Sequence, residues 1–529
     1  MSVFDILIKN GLIYDGSVSR PFISDIGIAG DRIRHIGSIQ AGDAGMVINA
    51  EGLAVCPGFI DSHAHSDFSI VADPRAEGKL FQGVTTEING NCGVSAAPLY
   101  NQVLEKREAD LKEFGISERW NTLEEYFRII GKKGIAVNLA TLAGHGNIRG
   151  SVIGYIDREP AEEELLGMSE LLEITLEQGA IGLSAGLIYP PGVFSTTEEL
   201  VRIATALKER SLIYTCHMRS EGDTLLESMH EVIRIGREAG IKVNISHIKT
   251  AGEQNWRKAE EATGLLYEAR EKGVRITVDR YPYIASCTDL DSILPSWAVE
   301  GGNEEEITRL ENATEREKIR KEMEGGIVSG DYWRNIVVSS VASEKNRWME
   351  GRTIADIGRH VRMNELDLIF KILVEERLRV GCIFSVMSEE NLKKFLSLPF
   401  CMIGSDSSAR CFDGPTKKGR PHPRGFGTFP RFLGKYVRDE RLMTLSEAIN
   451  RSTFMPAETF GLRGRGLLKE GMYADIVIFD PLNIRDRATY DDPFRKPGGI
   501  HYVLVNGVVA VREGQPGGKL AGRVLKPGC

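Results

Sequence analysis

Six side chains of the kinds that bind metal ions each follow a short apolar segment of this 529-residue chain. They are four histidines, one cysteine and one aspartate, namely His63, His65, Cys92, His217, His247 and Asp406. Nitrogen, sulfur and oxygen ligands of this kind together suit Zn²⁺. Each residue alone has a plainer explanation, since buried cysteine acts as a small apolar residue and aspartate after Gly-Ser is common in turns. Their shared position after apolar segments predicts one metal site.

Alternation along a strand decides which of these side chains share a face. His63 and His65 are separated by one residue, so both imidazoles are expected to point the same way and grip one ion. Cys216 directly precedes His217 and is expected to face away, as a core residue. Asp406 is the carboxylate placed to accept a proton from a water that the metal activates.

The apolar segments that carry these residues alternate with amphipathic helices, which is typical of a parallel sheet. Eight strands are predicted, and they cover residues 54–65, 85–92, 136–145, 180–187, 213–219, 242–247, 275–281 and 400–406. The candidate ligands lie at the carboxyl ends of these strands, where a (β/α)8 barrel builds its active site. The predicted fold class is therefore α/β, with a TIM-like (β/α)8 barrel.

Both ends of the chain contain short alternating strands separated by Asn-Gly and Asp-Gly turns. Neither end is long enough to bury a useful core alone. We therefore expect residues 1–53 and 461–529 to build one small β-sandwich domain together, and residues 54–460 to form the barrel.

Two interruptions of the barrel are expected. An insertion is predicted around residues 285–398, because the gap before the last strand is too long for one crossover helix. A mobile lid loop is predicted around residues 408–432, where several glycines and basic residues follow the last strand. Phe426, Phe429 and Phe432 would be the apolar side chains that this lid buries when it packs on the barrel.

Composition limits the partners of the protein. Lys plus Arg is 66 and Asp plus Glu is 74, so the formal net charge of −8 gives no bulk attraction to nucleic acid or to an anionic membrane. No apolar run approaches the ~18 residues of a membrane span, and the first residues do not resemble a signal peptide. The eight scattered cysteines fit reduced thiols, which predicts a cytoplasmic protein. Whether it forms a homo-oligomer stays open.

The segment PGFIDSHAH at 57–65 resembles the opening motif of the amidohydrolase superfamily, and the two tails resemble the composite β-sandwich of that superfamily. Further motifs resemble its D-aminoacylase (N-acyl-D-amino-acid deacylase) branch over nearly the whole chain. They are GNCG at 90–93, LSAGL at 183–187, HMRSE at 217–221, SHIK at 246–249, YPY at 281–283, GSD at 404–406, HPR at 422–424 and GTFPR at 427–431. The cysteine after the second strand narrows the resemblance to this branch.

The resemblance implies a division of the metal ligands. Cys92, His217 and His247 would hold the tighter Zn²⁺, and a second, weaker position would lie between the remaining three candidates, His63, His65 and Asp406. Whether one or two ions bind stays open. Strand four, 180–187, contains no lysine, so a carbamylated lysine of the dihydroorotase and hydantoinase kind is excluded and the Cys92 thiolate is the available bridge.

The substrate residues follow from the same likeness. Lys249, Tyr281 and Ser286 would clamp the free carboxylate of an N-acyl amino acid. Arg219 is a further candidate from its spacing after His217, and the alternative is that it pairs with Glu221 to brace the loop. His145, after the third strand, is expected either to bond the oxyanion or to hold its own loop.

The implied activity is zinc-dependent hydrolysis of the amide bond of N-acyl-D-amino acids, a class of small molecule. The products are a carboxylate and a free D-amino acid, and the D configuration rests on the resemblance alone. Residues 286–295 contain two acids and no Lys or Arg, which predicts a neutral or apolar side-chain pocket. The alternatives are a cyclic-amide hydrolase or deaminase of the same superfamily, and a non-catalytic scaffold that has kept the fold.

Overall fold

The computed structural model describes residues 3–326 and 332–528. The strands in these ranges are β1 Phe4–Ile13, β2 Phe22–Ala29, β3 Arg32–Gly37, β4 Ala44–Asn49, β5 Ala54–Pro57, β6 Phe59–Asp61, β7 Val84–Asn89, β8 Asn138–Thr141, β9 Ala143–Gly144, β10 Gly182–Gly186, β11 Ile213–His217, β12 Lys242–Ile245, β13 Ile276–Arg280, β14 Ser286–Asp289, β15 Ile336–Val341, β16 Val380–Phe384, β17 Cys401–Ile403, β18 Ile476–Phe479, β19 Ile500–Val505, β20 Val508–Arg512 and β21 Gln515–Pro516.

The helices surround and follow these strands. They are α1 Ser69–Ala72, α2 Glu77–Leu80, α3 Asn101–Glu113, α4 Leu123–Lys133, α5 His145–Val152, α6 Glu162–Gln178, α7 Thr197–Ala204, α8 Leu225–Ala239, α9 Ala259–Glu271, α10 Asn303–Glu311, α11 Ala313–Gly326, α12 Ile354–Val361, α13 Glu365–Glu375, α14 Glu389–Leu396, α15 Arg424–Arg431, α16 Leu445–Ser452 and α17 Phe454–Phe460. None of the helices in the described ranges is both long and apolar enough to cross a membrane.

Parallel strands form the barrel. One run is β6-β7-β8 and the other is β9-β10-β11-β12-β13-β17, with β8 and β9 as two halves of the third strand. The first and eighth strands meet through backbone hydrogen bonds, from Ser62 N to Ile403 O at 3.3 Å and from Asp406 N to His63 O at 2.7 Å. The predicted (β/α)8 barrel is confirmed.

The interior of the barrel is filled by apolar side chains that alternate with outward-facing ones. Ile60, Ile88 and Met402 form one buried cluster with Phe460, whereas Phe59, which neighbours Ile60, belongs to the larger cluster outside the barrel. Period-two alternation explains this division. The barrel is therefore packed inside. Buried polar side chains also lie along its strands, such as Asn138 on β8, which donates to the Thr86 hydroxyl on β7 at 3.4 Å.

The strands end earlier than predicted. β6 ends at Asp61, β7 at Asn89, β12 at Ile245 and β17 at Ile403, so most of the candidate ligands lie in the loops that follow the strands. The first predicted strand is also divided at Gly58, where a Cβ atom would lie 2.1 Å from the Thr85 side chain. β5 consequently joins the terminal sheet, and β6 joins the barrel.

The two ends of the chain share one nine-stranded sheet. Its order is β21-β20-β19-β18-β5-β1-β2-β3, with β4 paired to β1, and the two ends meet where β18 pairs antiparallel with β5. Along β18, Val477 and Phe479 pack with the barrel, whereas Ile476 and Ile478 join the separate apolar core of the terminal sheet. This confirms the small β-sandwich domain built from both termini.

Between β13 and β17 the chain leaves the barrel. β14, β16 and β15 form a three-stranded antiparallel sheet, and an apolar cluster that includes Leu310, Trp333 and Phe370 packs against it. The predicted insertion, 285–398, also includes residues 327–331, which lie outside the described residues.

The segment predicted as a lid loop differs from that prediction in its second half. Residues 408–423 contain no helix or strand, but α15 begins at Arg424 and continues into a π-helix, Phe432–Asp439. Phe426, Phe429 and Phe432 are fully buried. They recur every three residues and so form one apolar face, which fixes this part of the segment as a packed helix.

Candidate metal centre

The Cys92 thiol lies between two imidazoles. Its Sγ atom is 3.3 Å from Nε2 of His63 and 3.4 Å from Nε2 of His247. All three side chains are buried, and their ligand atoms lie within 4.8 Å of one another. One cation placed among them would satisfy all three groups, and Cys92 has the position of a bridge between histidines that follow the first and sixth barrel strands.

A second group shares His63 with the first. Oδ1 of Asp406 is 3.1 Å from Nε2 of His65 and 3.7 Å from Nε2 of His63. The rings of His63 and His65 are 5.1 Å apart. The structure thus brings these three predicted ligands together, although the two histidines follow strand β6 instead of lying in it.

His217 completes the six candidates. Its ring centroid is 4.4 Å from that of His247, and both of its ring nitrogens are buried without a hydrogen-bond partner among the described residues. A buried polar nitrogen without a partner is costly. An additional ligand on His217 would remove this cost, so the donor set fits a zinc ion.

The backbone is strained at three of the candidate ligands. Cys92, His247 and Asp406 have φ values of 53°, 34° and 51°. Residues with a Cβ atom rarely adopt this left-handed region, and such strain is concentrated at functional sites. The strained backbone at these three residues is consistent with loops that direct their side chains to one site.

Asp279 on β13 orients two of the histidines. Its Oδ1 atom lies 3.1 Å from Nδ1 of His63 and accepts a hydrogen bond from the backbone N of His247 at 2.8 Å. Its Oδ2 atom accepts from Asn244 at 2.6 Å. Carboxylates that hold the second ring nitrogen of a metal-binding histidine fix its orientation and tautomer.

Electrostatics favours a thiolate among imidazoles. Burial alone would raise the pKa of Cys92, but His63 and His247 lower it well below its usual value. Burial works against a charged His65, yet Asp406 and Cys92 raise its pKa to about 9. The Cys92 thiolate and the Asp406 carboxylate therefore stabilise positive charge at this point, which a divalent cation would supply in place of the protons on the imidazoles.

A polar wall, formed by Arg424 and Tyr281, faces Asp406. Nη1 of Arg424 is 2.9 Å from Oδ2 of Asp406, and the Arg424 guanidinium lies 4.5 Å from the centre of the Tyr281 ring. Burial would raise the pKa of Asp406, but Arg424 is the largest of the influences that hold it well below its usual value. The Tyr281 hydroxyl and Nε of Arg424 are buried without hydrogen-bond partners among the described residues. These donors are available to a ligand.

The backbone on either side of Ser286 holds this wall in place. Nε2 of His422 donates to Ala285 O at 3.0 Å, and Nη2 of Arg424 donates to Cys287 O at 3.2 Å. Ser286 is the first residue of β14 and is partly exposed. The structure therefore brings Ser286 to the same wall as Arg424 and Tyr281.

Lys249 is buried among the ligands. Its Nζ atom lies 2.8 Å from Nδ1 of His247 and forms an ion pair with Glu221, whose Oε1 atom is 2.9 Å from the same His247 nitrogen. Lys249 and Glu221 thus brace His247, and Glu221 also lies 3.9 Å from Nε2 of His217. The substrate role predicted for Lys249 stays a prediction.

Arg219 points away from this centre. It contacts Glu231 through Nε at 3.2 Å and Nη2 at 3.0 Å, and it donates to the carbonyls of Val193 and Ser195 at 2.8 and 2.9 Å. The guanidinium therefore braces the loop after β10, although its acidic partner is Glu231 and not Glu221. We do not retain Arg219 among the substrate-binding candidates.

Comparison with known proteins places this geometry in a family. The model of the amidohydrolase family matches residues 46–511. The chain is 34% identical over 522 residues to a D-aminoacylase of Alcaligenes xylosoxydans xylosoxydans, covering 99% of this chain and 97% of that relative. An N-acyl-D-glutamate deacylase of the same organism is 32% identical, with 99% and 96% covered. The chain belongs to the amidohydrolase family.

Its place within the amidohydrolase family is the D-aminoacylase branch. A crystal structure of N-acyl-D-glutamate deacylase from Bordetella bronchiseptica, complexed with zinc and a phosphonate inhibitor that mimics the tetrahedral intermediate, matches with a TM-score of 0.84. The two chains are 33% identical, and 99% of each is covered. Both the fold and the branch inferred from the sequence motifs are confirmed.

Strand four of this amidohydrolase supports the cysteine loop. Ser184 on β10 accepts a hydrogen bond from Gly93 N at 3.0 Å, and its hydroxyl donates to Gly90 O. Asp67 holds the same loop by accepting from Ala96 N at 3.0 Å. A serine therefore braces the Cys92 loop on the strand where the cyclic-amide alternative would need a lysine.

His145 lies at the first position of α5. Its Nε2 atom is 2.9 Å from Oε1 of Glu199, and its Nδ1 atom is buried without a hydrogen-bond partner among the described residues. Glu199 also pairs with Arg149. This arrangement supports a role in holding the loop, and the contact with an oxyanion stays a prediction.

Sequence reasoning missed three residues of this site. Asp279 could have been predicted from the sequence, because it lies two residues before the candidate Tyr281 on the same predicted strand. Arg424 stood in the HPR motif without a role, and Glu221 was considered only as a partner of Arg219. Their roles depend on contacts between distant segments, which spacing along one strand cannot show.

Proposed function

We propose that this protein is a zinc-dependent hydrolase of the amide bond in N-acyl-D-amino acids with neutral or hydrophobic side chains. The products are a carboxylate and a free D-amino acid. The observation that carries this proposal is the position of Cys92 Sγ, 3.3 Å from His63 and 3.4 Å from His247. Zinc and the substrate class are carried over from the relatives that share this fold over nearly the whole chain.

The ligands divide into two groups. As the family resemblance implies, Cys92, His217 and His247 would hold the tighter ion. His63, His65 and Asp406, whose ligand atoms lie within 4.8 Å of one another, would surround the weaker position. When bound, zinc lowers the pKa of a water ligand and polarises the scissile carbonyl. Two of the ligands are oriented by carboxylates, which keeps their rings aimed at the site.

Proton transfer falls to Asp406. Its carboxylate is held ionised, and its Oδ1 atom faces the imidazoles of His63 and His65. In that state it accepts the proton of the attacking water and then delivers it to the departing amine nitrogen, which cannot leave as an amide anion.

The α-carboxylate of the substrate needs cationic and hydroxyl donors. Nε of Arg424 and the Tyr281 hydroxyl are buried donors that have no hydrogen-bond partner in the part of the chain that the structure describes, and Ser286 lies beside them. Lys249 is close by but is engaged by Glu221. We therefore add Arg424 to the predicted clamp of Lys249, Tyr281 and Ser286.

The side-chain preference follows from local charge. Residues 286–295 contain Asp289 and Asp291 and no basic residue. Burial and Asp291 raise the pKa of Asp289 to about 7, with Asp110 acting in the same direction and Lys106 opposing it. A second carboxylate brought near these acids would be repelled, so N-acyl-D-glutamate and N-acyl-D-aspartate are expected to be poor substrates.

The deciding experiment is a substrate panel with zinc-supplemented protein. N-Acetyl-D-leucine, N-acetyl-D-methionine and N-acetyl-D-glutamate, with their L forms, are assayed beside hydantoin and dihydroorotate. We expect the neutral D substrates to be hydrolysed fastest. A strong preference for N-acetyl-D-glutamate would refute the side-chain prediction alone, whereas turnover of only the cyclic amides would refute the proposed reaction.

Metal analysis separates the enzyme from a scaffold. Purification without chelator should yield zinc near one or two equivalents, and its absence together with inactivity would favour a non-catalytic role. We also propose a cytoplasmic location, which the seven described cysteines support because none of them forms a disulfide. Sedimentation would determine whether the protein is a homo-oligomer.

A further inference from the structure

A fully buried lysine joins the two sides of the seam where the barrel closes. Lys79, on the short helix α2, has no exposed surface. Its Nζ atom lies 2.7 Å from Oδ2 of Asp61 on β6 and 2.9 Å from Oε1 of Glu87 on β7. It also donates to the Ser405 hydroxyl at 2.8 Å and to Ser407 O at 3.0 Å, both in the loop after β17.

These two serine contacts lie directly before and after Asp406. Ser405 is tied further to Asp61, through its backbone N to Oδ1 at 2.7 Å and through its hydroxyl to Oδ2 at 2.6 Å. Asp406 itself donates its backbone N–H to His63 O at 2.7 Å. Lys79 and Asp61 thus attach the loop to the first barrel strand through side chains, beside direct backbone bonds such as that from His65 N to Ser407 O at 3.2 Å.

Asp406 needs such attachment. Its φ of 51° lies in the left-handed region, which surrounding contacts must enforce on a residue with a Cβ atom. Its Oδ1 atom must also stay near His65, from whose Nε2 atom it lies 3.1 Å. A small displacement of a reacting group is enough to slow catalysis strongly.

We infer that Lys79 is a positioning residue for the hydrolysis, which holds the Asp406 carboxylate against the imidazoles by bonding to the residues on both sides of it. The inference rests on the proposed function, in which Asp406 transfers the proton. Lys79 does not touch the reacting atoms in this scheme, and it acts only through the loop.

A simpler role for Lys79 would be to neutralise buried carboxylates. Lys79, Asp61 and Glu87 carry one positive and two negative formal charges. Lys79→Met leaves two buried carboxylates without a cation, which destabilises a protein. Adding Glu87→Gln restores the native total of one negative charge but not the bonds to Ser405 and Ser407. The double variant therefore separates charge from position.

The experiment compares the wild type, Lys79→Met and Lys79→Met with Glu87→Gln, using N-acetyl-D-leucine. We measure kcat, KM, Tm and zinc content and determine the crystal structure of each variant. Both variants are expected to lose kcat by about 10- to 100-fold, while KM changes by less than about threefold. The double variant should regain Tm without regaining kcat. As a matched control, Arg465→Met removes a buried cation from the terminal domain and should lower Tm alone.

Recovery of kcat in the double variant would overturn the inference, because it would show that Lys79 only balances charge. If Lys79→Met does not fold, Ser405→Ala removes one of the flanking contacts, and an unchanged kcat there would also overturn it. If the wild type hydrolyses no N-acyl amino acid, the proposed function fails. In that case the crystal structures of the variants still test the positioning role of Lys79. An unchanged distance from Asp406 Oδ1 to His65 Nε2 would refute that role.

Discussion

The two oxygens of Asp406 face different partners, Oδ1 towards His65 at 3.1 Å and Oδ2 towards Arg424 at 2.9 Å. The Asp406 carboxylate therefore contacts both the candidate metal centre and the side chains proposed to bind the substrate. Binding of the substrate carboxylate to Arg424 would weaken the contact between Arg424 and Oδ2 of Asp406. The pKa of Asp406 would then rise, so substrate binding would make Asp406 a stronger base.

Replacing this carboxylate tests its chemical role. Asp406→Asn keeps the size of the side chain but cannot accept a proton, so kcat should fall by about 10²- to 10⁴-fold. Zinc should remain at Cys92, His217 and His247, as measured by metal analysis of the purified variant. Asp439→Asn, an exposed position, is the control. Activity of Asp406→Asn within a few-fold of the wild type would mean that another group transfers the proton.

Glu306 on α10 should make stability depend on pH. Burial, aided by Asp291, raises its pKa to about 9, and Lys106 only partly opposes this. Between the ordinary value of 4.5 and about 9, the folded protein keeps a proton that the unfolded chain releases. The free energy of unfolding therefore falls as pH rises through this window.

Glu306→Gln removes the titrating proton and should remove its contribution to this fall. Unfolding in urea at pH 5.5 and pH 8.5 measures the contribution, and the gain in stability of the variant over the wild type should be larger at pH 8.5 than at pH 5.5 by on the order of 1 kcal/mol or more. Glu305→Gln, exposed on the same helix, should show no such pH-dependent difference. Equal curves for the wild type and Glu306→Gln at both pH values would contradict the prediction.

The six candidate metal ligands could be predicted to lie together because each one ends or follows a strand, and the order of strands around a barrel is the order along the chain. Lys79 and Arg424 could not. Each lies on a helix, and each meets the site through contacts with segments distant in sequence. Pattern reasoning assigns a face to a side chain, but it does not identify a partner across the fold.

At the scale of elements, α15 shows how close packing replaces a predicted loop. A Cβ atom at Gly427 would lie 2.6 Å from the Tyr283 hydroxyl and 2.8 Å from Cβ of Asp486. At Gly425, two residues earlier on the same helix, the nearest atom would be 3.5 Å away. A methyl group therefore has room at Gly425 but not at Gly427.

These two glycines form a matched pair. Gly427→Ala should lower the free energy of unfolding by about 1–3 kcal/mol through overpacking. Gly425→Ala should leave it unchanged or raise it by up to about 1 kcal/mol, because alanine favours a helix. Thermal or urea unfolding of both variants checks this difference. The reverse order of stability would show that α15 is not packed against Tyr283 as described.

For the whole molecule, a buried polar cluster joins the terminal domain to the barrel. Arg465 pairs with Asp475 and donates to Asn506 at 2.9 Å. Asn506 donates to the side-chain oxygen of Asn138 on β8 at 2.8 Å. The sequence predicted a shared terminal domain from its turns and alternation, but it held no signal for this junction.

Arg465→Met should leave Asp475 buried without a cation. The expected loss in the free energy of unfolding is about 3–5 kcal/mol, measured by urea unfolding. The kcat of the folded variant should equal that of the wild type, since the junction contacts no residue of the metal centre. A large loss of kcat with normal stability would mean that the terminal domain influences the active site.

The shared sheet also constrains how the chain folds during its synthesis. Arg32 donates to the carbonyl of Gly471, 439 residues further along the chain, and β5 pairs with β18. β5 is therefore synthesised long before β18, the strand that covers its edge. Until β18 is made, the isoleucine-rich strands of the earlier segment are exposed, so we expect chaperones to bind the nascent chain.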